Sequence, residues 1–543
     1  MAVLGRPFTI ISLAIFLIAT ILTIHVSFGN TKTADILCIE SEKQALLSFK
    51  KDLVDESNRL LSWAVEDDCC KWSGILCDNS TGYVRQINLG RYMGENSVLK
   101  GKLNPSLLNL KHLTHLDLSN NDFGGVQIPS FMGSFVNMRY LILKPAGFSG
   151  LVPYQLGNLS TLRRLVLRDF YRNDKGLYVD NLHWLSSLSK LEYLDMYNVN
   201  LSKASDHWSL MINMLPNLRE LDFSSCQLAH IPSLSHMTVL EKLSLSGNHF
   251  GPTIPDCVYH FSGLKDLSLG SNNFKGVISS TIGNLTSVVD LDLSFNKFEG
   301  KIPTSMGNLC NLQHIDLIYN KFGGMISEAF QSVVSEFHFA NLSNLKSLAA
   351  SSNSVVLRVS PDWIPPPKLI DIELKSWSLG KIPDCWIKWP MLMFVKLNNN
   401  NLTGEIPTSI GSLLSLQSLH LRNAGLSGEI PLSLQNCTEL ITIDFGLNEL
   451  VESIPRWLGI SLSNLKILGF RSNKLNGQIP LEICHLTTLQ VMDISHNNLS
   501  GNIPVCFNNF QAMASKIEYG FPIYYSRWYT RDSMETMFVV KKE

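Results

Sequence analysis

The stretch Val288–Pro303, VVDLDLSFNKFEGKIP, contains the pattern that decides the fold. Apolar residues occupy its first, fourth and sixth positions, Asn the ninth, an apolar residue the eleventh and Gly the thirteenth, and Ile-Pro closes it. The same order, L-x-x-L-x-L-x-x-N-x-L-x-G-x-I-P, recurs most clearly in Leu240–Pro255, Leu392–Pro407 and Leu489–Pro504. A unit that returns with a modal spacing of 24 residues is the signature of a repeat architecture.

Each position of the unit has a mechanical reason. The L-x-L core alternates between the two faces of a short strand, so its leucines point inward. The ninth residue is Asn in ten copies, and a buried Asn side chain can bond backbone groups where the chain leaves the strand. Gly permits the bend that follows, as at Gly300, Gly404, Gly428 and Gly501, and Pro stops the strand or helix from continuing.

One unit cannot bury its own leucines, whereas stacked units bury them against their neighbours. The sequence therefore predicts an α/β fold, a curved right-handed solenoid with a parallel sheet on its concave side. Seventeen repeats begin at residues 84, 113, 138, 162, 191, 218, 240, 264, 288, 312, 345, 369, 392, 416, 440, 465 and 489. Three longer spacings predict insertions within 92–98, 171–189 and 327–344.

Charge and motifs argue against an enzyme or a nucleic-acid-binding protein. The 45 basic and 46 acidic residues give a net charge of −1, which offers no electrostatic attraction for nucleic acid. The chain contains neither H-E-x-x-H nor a G-x-S-x-G nucleophile elbow. We therefore predict no catalytic residue, no metal and no cofactor.

The first residues and the cysteines indicate export. Arg6, the apolar run 8–26 and the small residues Ser27 and Gly29 predict a signal peptide over 1–29, with an uncleaved anchor as the alternative. Eight glycosylation sequons agree: Asn79, Asn158, Asn200, Asn284, Asn341, Asn401, Asn436 and Asn498. A cluster of cysteines at the start favours disulfides over zinc in an exported chain: Cys38, Cys69, Cys70 and Cys77. Four cysteines allow three pairings, and the sequence alone does not choose among them.

The remaining seven cysteines lie within the array and are expected to be mostly unpaired small apolar residues. Cys226 replaces a ninth-position Asn. Cys484 and Cys506 lie on neighbouring coils and are the pair to test.

Seven repeats carry Asp between the strand leucines, namely Asp117, Asp195, Asp222, Asp292, Asp316, Asp444 and Asp493. A calcium-binding ladder is one interpretation. A solvated strand face is favoured, because few of these residues lie on consecutive coils.

Strand positions 3, 5 and 7 are expected to point to solvent on the concave side. Two groups of side chains there are candidates for ligand binding, because Tyr and Arg are enriched in interfaces. The first comprises Tyr140, Lys144, Arg164, Arg168, Tyr193, Asp195 and Tyr197. The second comprises Asp371, Glu373, Lys375, Phe394, Lys396, His420 and Arg422. Both suit a protein, peptide or glycan ligand.

Three stretches carry a family resemblance. Residues 40–63 (ESEKQALLSFKKDLVDESNRLLSW) with 68–77 (DCCKWSGILC) resemble the plant-type N-terminal cap of leucine-rich-repeat proteins, and the L-x-G-x-I-P unit resembles the plant-specific repeat. Residues 181–228 resemble plant receptor-like proteins of the ethylene-inducing-xylanase receptor type. The resemblance implies a cap over 30–83, a solenoid over 84–506 and the start of an island over 507–543. It also implies the cap pairs Cys38–Cys69 and Cys70–Cys77.

The resemblance further implies a kinase-lacking cell-surface receptor that acts in defence and signals through a partner receptor kinase. The full-length family member has a membrane helix and sits in the plasma membrane. The given sequence shows no such segment after the repeats, so it is expected to be either a fragment of a longer protein or a truncated product, and a truncated product would be secreted. Two alternatives remain open: a secreted inhibitor of a microbial cell-wall-degrading enzyme, or the ectodomain of a receptor kinase.

Overall fold

The protein is described by a computed structural model, which covers residues 37–514 except 91–96, 170–175, 232–233, 235, 324–332, 336–337, 340, 354, 358–363, 378–381, 383 and 385. The predicted signal peptide, parts of the three predicted insertions and most of 507–543 lie outside these residues. The chain divides into two compact units, Met1–Gly176 and Leu177–Glu543.

The first unit begins with the cap helices Glu40–Lys51 and Ser62–Val65. Its strands are Leu53–Val54, Ile75–Cys77, Val84–Asn88, Lys100–Gly101, His115–Asp117, Tyr140–Ile142, Gly150–Leu151 and Arg164–Val166. Ile75–Cys77 runs antiparallel to Val84–Asn88, and from there each repeat adds one parallel strand up to Arg164–Val166.

The second unit continues the pattern with one parallel strand per repeat from Tyr193–Asp195 to Val491–Asp493. The strands of this main sheet are Tyr193–Asp195, Glu220–Asp222, Lys242–Ser244, Asp266–Ser268, Asp290–Asp292, His314–Asp316, Ser347–Ala349, Asp371–Glu373, Phe394–Lys396, Ser418–His420, Thr442–Asp444, Ile467–Gly469 and Val491–Asp493. Short strands form smaller pairings on the other side of the coils: Leu177–Tyr178, Lys275–Gly276, Lys297–Gly300, Lys321–Phe322, Val333–Val334, Val356–Leu357, Ser427–Gly428, Glu449–Leu450, Asn476–Gln478 and Asn498–Ser500. The α-helices here are Trp208–Ile212, Trp457–Ser461 and Gln511–Ala514.

Short 3-10 helices complete the coils. They are Cys69–Lys71, Pro105–Asn109, Ser130–Ser134, Tyr154–Asn158, His183–Ser187, Ser202–Ala204, Asp256–His260, Ser280–Asn284, Thr304–Asn308, Trp386–Lys388, Thr408–Ser412, Leu432–Asn436, Leu481–His485 and Val505–Asn509. The Pro of the Ile-Pro pair is the residue just before such a helix, as at Pro303 and Pro407. Pro ends the preceding extended segment there, because its nitrogen carries no hydrogen for a strand bond.

The predicted core is present. Strand leucines such as Leu243, Leu267 and Leu291 lie in register and are almost completely buried. The eleventh position adds a second row of packed rings, in which Phe274 and Phe298 lie 5.9 Å apart at 7° and Phe298 and Phe322 lie 6.2 Å apart at 7°. Burial of these side chains between coils is what one unit alone cannot achieve. The predicted leucine-rich-repeat solenoid with a parallel sheet is confirmed.

The ninth-position Asn forms the predicted ladder. Asn296 Nδ2 donates to the carbonyls of Leu293 and Leu269, and its Oδ1 accepts from the N–H of Phe274 on the preceding coil. Each amide therefore ties its own turn to the coil before it, as expected for a buried polar group that must be satisfied. Cys226 replaces an Asn at this position. Its Sγ lies 3.1 Å from the Met196 carbonyl oxygen, and burial raises the pKa of the thiol.

The predicted bend at Gly is also confirmed, since Gly300 has φ of 72° and Gly404 has φ of 89°. These values lie in the left-handed region that Gly adopts without steric cost. At Gly300 an added Cβ would also lie 2.8 Å from Val277 Cγ1.

The cap closes the start of the sheet. Trp63 and Trp72 stack at 5.2 Å, and each indole N–H donates to a backbone carbonyl. Arg59 extends from the cap to the first rung of the ladder, where its guanidinium donates to Asn121 Oδ1 at 2.9 Å and to the Leu89 carbonyl at 2.9 Å. The cap therefore satisfies polar groups that the first coil would otherwise expose.

The cap cysteines are joined as Cys38–Cys69 and Cys70–Cys77. Three of their sulfurs lie within 4.8 Å of one another, but a disulfide sulfur is not the thiolate that zinc binds. Cys484 and Cys506 also form a disulfide between neighbouring coils. Among the other described cysteines, Cys226, Cys257, Cys310 and Cys437 are free thiols.

Candidate ligand-binding sheet face

The candidate site is the face of the main sheet that carries the variable side chains. Parallel register stacks like positions of successive repeats, so Asp371, Phe394 and Ser418 are direct neighbours, as are Glu373, Lys396 and His420. The intervening residues, such as Val395, point into the core. Side chains from several coils thus form rows that run across the strands.

The predicted second group, which we call the 371–422 patch, is held together by ion pairs. Glu373 lies between two lysines, 3.1 Å from Lys375 and 3.6 Å from Lys396, and also accepts from Ser351 Oγ at 3.2 Å. Burial alone would raise the pKa of Glu373, but the charges of Lys396 and Lys375 outweigh it and hold the pKa below its usual value. Glu373 is therefore ionised and positions both ammonium groups.

A second carboxylate organises the other end of the patch. Asp444 Oδ1 lies 3.7 Å from Arg422 Nη1, and its Oδ2 lies 4.0 Å from His420 Nδ1. The sequence pattern places Asp444 among the strand aspartates and not among the ligand-binding candidates. Only the register of the two neighbouring strands reveals that it holds Arg422 and His420.

Asp371 is the least satisfied charge in the patch. Its Oδ2 accepts from Ser347 Oγ at 3.1 Å, whereas its buried Oδ1 has no hydrogen-bond partner. Burial, against the opposing attraction of Lys396, raises the pKa of Asp371 to about 6. A ligand that donates a hydrogen bond would satisfy this oxygen, because an unpaired buried acceptor carries an energetic cost.

The predicted first group is divided between the two units. In the first unit, Tyr140 stacks on His115 at 4.1 Å and pairs in register with Arg164, and Lys144 is exposed. Burial and the nearby charge of Arg139 lower the pKa of His115, which keeps its ring neutral near pH 7. Arg168 is half-buried in the same unit.

In the second unit, Asp195 accepts from the Tyr197 N–H at 3.1 Å and from Tyr193 Oη at 3.3 Å. Asp195 is completely buried and Phe394 is 8% exposed. The expectation that positions 3, 5 and 7 all face solvent is wrong for these two residues. Asp195 is engaged by its two tyrosine neighbours, and Phe394 lies between its in-register neighbours Asp371 and Ser418.

The seven strand aspartates share a structural role that the sequence did not predict. Each accepts a hydrogen bond from the backbone N–H two residues later, for example Asp117 from Ser119 at 2.8 Å and Asp292 from Ser294 at 3.0 Å. The same bond occurs at Asp195, Asp222, Asp316, Asp444 and Asp493. The Asp side chain therefore fixes the turn at the end of the strand. The spacing Asp-x-Ser, present in four of the seven, was the available signal.

The sequons differ in accessibility. Seven are exposed: Asn79, Asn158, Asn284, Asn341, Asn401, Asn436 and Asn498. Asn200 is half-buried, and its Oδ1 accepts from the Ser202 N–H at 2.9 Å. We therefore expect Asn200 to be the poorest glycosylation acceptor.

The comparisons with known proteins agree with this architecture. Models of the leucine-rich-repeat N-terminal domain match residues 39–78, and leucine-rich-repeat models match 262–322 and six single repeats: 112–134, 217–237, 239–261, 391–413, 415–437 and 488–510. Receptor-like protein EIX1 of Solanum lycopersicum is 40% identical over 244 residues, which are 42% of this chain and 23% of that protein. The chain therefore contains a leucine-rich-repeat N-terminal domain and leucine-rich repeats, and it is similar to plant receptor-like proteins of the EIX type. The match spans less than a quarter of that relative's length.

Solved structures show the same fold. The leucine-rich-repeat ectodomain of the Arabidopsis thaliana membrane receptor kinase GASSHO1/SCHENGEN3, in complex with CASPARIAN STRIP INTEGRITY FACTOR 2, aligns with a TM-score of 0.61. It is 28% identical, and the alignment covers 86% of this chain and 60% of that one. The ectodomain of the Arabidopsis receptor kinase HAESA, in complex with an IDA peptide hormone ligand, aligns with a TM-score of 0.50 at 25% identity, over 87% of this chain and 92% of that one. Within the described residues, no helix has the length and apolar character needed to cross a bilayer.

Proposed function

We propose that this chain is the ligand-recognition ectodomain of a plant cell-surface receptor-like protein that acts in defence. Its sheet face binds an extracellular protein, peptide or glycan, and a partner receptor kinase carries the signal. The similarity to receptor-like protein EIX1 supports the class, and the two receptor-kinase ectodomains solved in complexes support the use of this fold for extracellular ligands. The cap disulfides support passage through the secretory pathway, and the similarity to a receptor-like protein supports a place at the outer face of the plasma membrane.

The observation that carries the proposal is the arrangement of the 371–422 patch. Three cations and an imidazole are pre-positioned by Glu373 and Asp444, and the unsatisfied oxygen of Asp371 lies on an adjacent strand. Pre-positioned charged side chains reduce the entropy lost on binding. Charges whose only task was to stabilise the fold would not need an unpaired carboxylate oxygen among them.

The test is direct binding. The secreted chain is immobilised, and a purified fungal xylanase is the protein probe, because the family resemblance names that ligand. We expect saturable binding that Arg422→Ala with Lys396→Ala weakens by at least about tenfold, as for charged hot-spot residues. Lys474→Ala is the matched control, because Lys474 forms an exposed ion pair with Glu449 away from the main sheet.

If the xylanase bound the double variant as tightly as the wild-type chain, the 371–422 patch would be excluded as the contact surface. No binding of the xylanase to the wild-type chain would exclude that ligand, and chitin and xylan oligosaccharides then test the glycan class on the same surface.

A further inference from the structure

Two exposed aromatic side chains lie side by side at the ends of neighbouring strands. Phe295 and Tyr319 occupy the eighth position of successive repeats, and their rings stack with centroids 4.7 Å apart and an angle of 27° between planes. Phe295 is 52% exposed and Tyr319 is 55% exposed. We call these two residues the aromatic pair.

The aromatic pair occupies a backbone conformation that disfavours large side chains. Phe295 has φ of 51° and Tyr319 has φ of 52°, in the left-handed region. The fold imposes this conformation, because the N–H of each residue donates to a carbonyl of the next coil, Ile318 and Ser351 respectively. Asn and Gly tolerate the region, whereas a bulky residue there is a genuine outlier.

Other repeats place small or polar residues at this left-handed position. The eighth position is Ser271 and Ser352 on the two flanking coils and Asn399 further along, all with positive φ. Among the described residues at this position, Leu447 is the remaining large apolar one, and it has no aromatic neighbour in the next repeat, where Ser472 follows. The aromatic pair therefore adds backbone strain without contributing to the core. A strained conformation that does not serve packing indicates a functional role.

The strand face beside the aromatic pair is acidic. The strands Asp266–Ser268, Asp290–Asp292 and His314–Asp316 present four carboxylates, those of Asp266, Asp290, Asp292 and Asp316, and one imidazole. Lys242 Nζ lies 2.6 Å from Asp266 and His314 Nδ1 lies 2.5 Å from Asp290. Even with these contacts, carboxylates outnumber cations on this face, so it attracts a positively charged partner.

The same position carries a small side chain on both flanking coils. It is Ser271 one coil before the aromatic pair and Ser352 one coil after it. A flat ring placed over either serine would continue the stack at the spacing between strands, which is about 4.8 Å. Aromatic pairs gain stabilisation in such stacked arrangements.

We infer that the aromatic pair and the acidic strand face dock a basic peptide segment that carries an aromatic side chain. The aromatic side chain stacks on Phe295 or Tyr319, and basic side chains meet Asp266, Asp290, Asp292 and Asp316. The inference rests on the proposed function in that it names a ligand class for the same ectodomain. It uses the three repeats that begin at Leu264, Val288 and Leu312, which do not include the 371–422 patch. Binding at each of the two surfaces can therefore be tested separately.

The test is fluorescence polarisation with a labelled peptide of sequence Gly-Arg-Gly-Trp-Gly-Arg and the secreted chain. One control peptide carries Ala for Trp, and another carries Glu for both Arg residues. We expect the Arg-Trp peptide to bind at least about tenfold more tightly than either control peptide, and to lose affinity as salt is raised.

The decisive variant is Phe295→Ser with Tyr319→Ser, because serine is the residue that the flanking repeats use. We expect about tenfold weaker binding of the Arg-Trp peptide and a melting temperature equal to or above that of the wild-type chain, since the left-handed strain is relieved. Tyr154→Ser is the matched control, because Tyr154 is an exposed tyrosine on a 3-10 helix of the first unit.

Two results would overturn the inference. One is equal binding of the Arg-Trp peptide by the double serine variant and the wild-type chain. The other is a fall in melting temperature on the serine substitutions, which would show that the rings stabilise the fold. Xylanase binding that depends on Arg422 is a separate outcome and bears only on the proposed function.

Discussion

Replacing Asn272 with Ala tests the asparagine ladder at a single rung. Asn272 Nδ2 donates to the carbonyls of Leu245, Leu269 and Gly270 at 3.0, 3.0 and 3.1 Å, and its Oδ1 accepts from the Phe250 N–H at 3.1 Å. The side chain is buried. All four contacts disappear in Asn272→Ala.

The expected loss in the free energy of unfolding depends on which hydrogen bonds each backbone group keeps in the variant. The Leu245 carbonyl still accepts from Asn248 Nδ2, and the Leu269 carbonyl still accepts from Asn296 Nδ2. The Phe250 N–H has no other described acceptor and becomes an unpaired buried donor, which costs about 1–3 kcal/mol. With the weakened carbonyl bonds and the small void, we expect a loss of about 2–4 kcal/mol in the free energy of unfolding.

The assay combines urea unfolding with amide hydrogen exchange. Asn273→Ala is the control, because the adjacent Asn273 is exposed and its Oδ1 only accepts from Lys297 Nζ. We expect this control to change stability by less than about 0.5 kcal/mol. Because stacked repeats depend on their neighbours, exchange should rise first at the Phe250 amide and in the coils on either side. If Asn272→Ala and Asn273→Ala unfolded at the same urea concentration, the ladder would not have the role described.

The remaining predictions concern a charge, a cap and a disulfide. Asp371→Asn should raise stability at pH 7 by up to about 3 kcal/mol and leave it unchanged near pH 4. The raised pKa of about 6 means that the wild-type fold loses stability as pH rises from about 4 to 6, and thermal melting across that range checks it. Glu42→Ala should destabilise the cap by about 1–3 kcal/mol, because Glu42 Oε2 accepts from the buried Val84 N–H. Glu42→Gln keeps an acceptor and should cost less, so equal melting temperatures of the two variants would contradict this. Cys506→Ser should remove about 3 kcal/mol by opening the 22-residue separation to Cys484. Urea unfolding checks it: Cys484→Ser should lose the same amount and the double serine variant no more, whereas additive losses would contradict the role of the bond.

The repeat sequence determined most of the fold. A solenoid contacts mainly its own neighbours, so a position that does one job in one coil does the same job in the next. The burial of Leu267 and Leu291, the bonds of Asn296 and the bend at Gly300 all follow from that local rule. The family resemblance, not the spacing, supplied the cap pairing of Cys38 with Cys69 that the structure also contains.

Only the tertiary structure decided the features that depend on which side chains meet across coils. Register placed Asp444 beside Arg422 and stacked Phe295 on Tyr319. The pattern of a single repeat contains none of these pairings, because the paired residues differ from coil to coil and lie 22 to 24 residues apart. The repeating residues fix the scaffold through identical local contacts, whereas the chemistry of its face comes from unlike residues that the scaffold sets side by side.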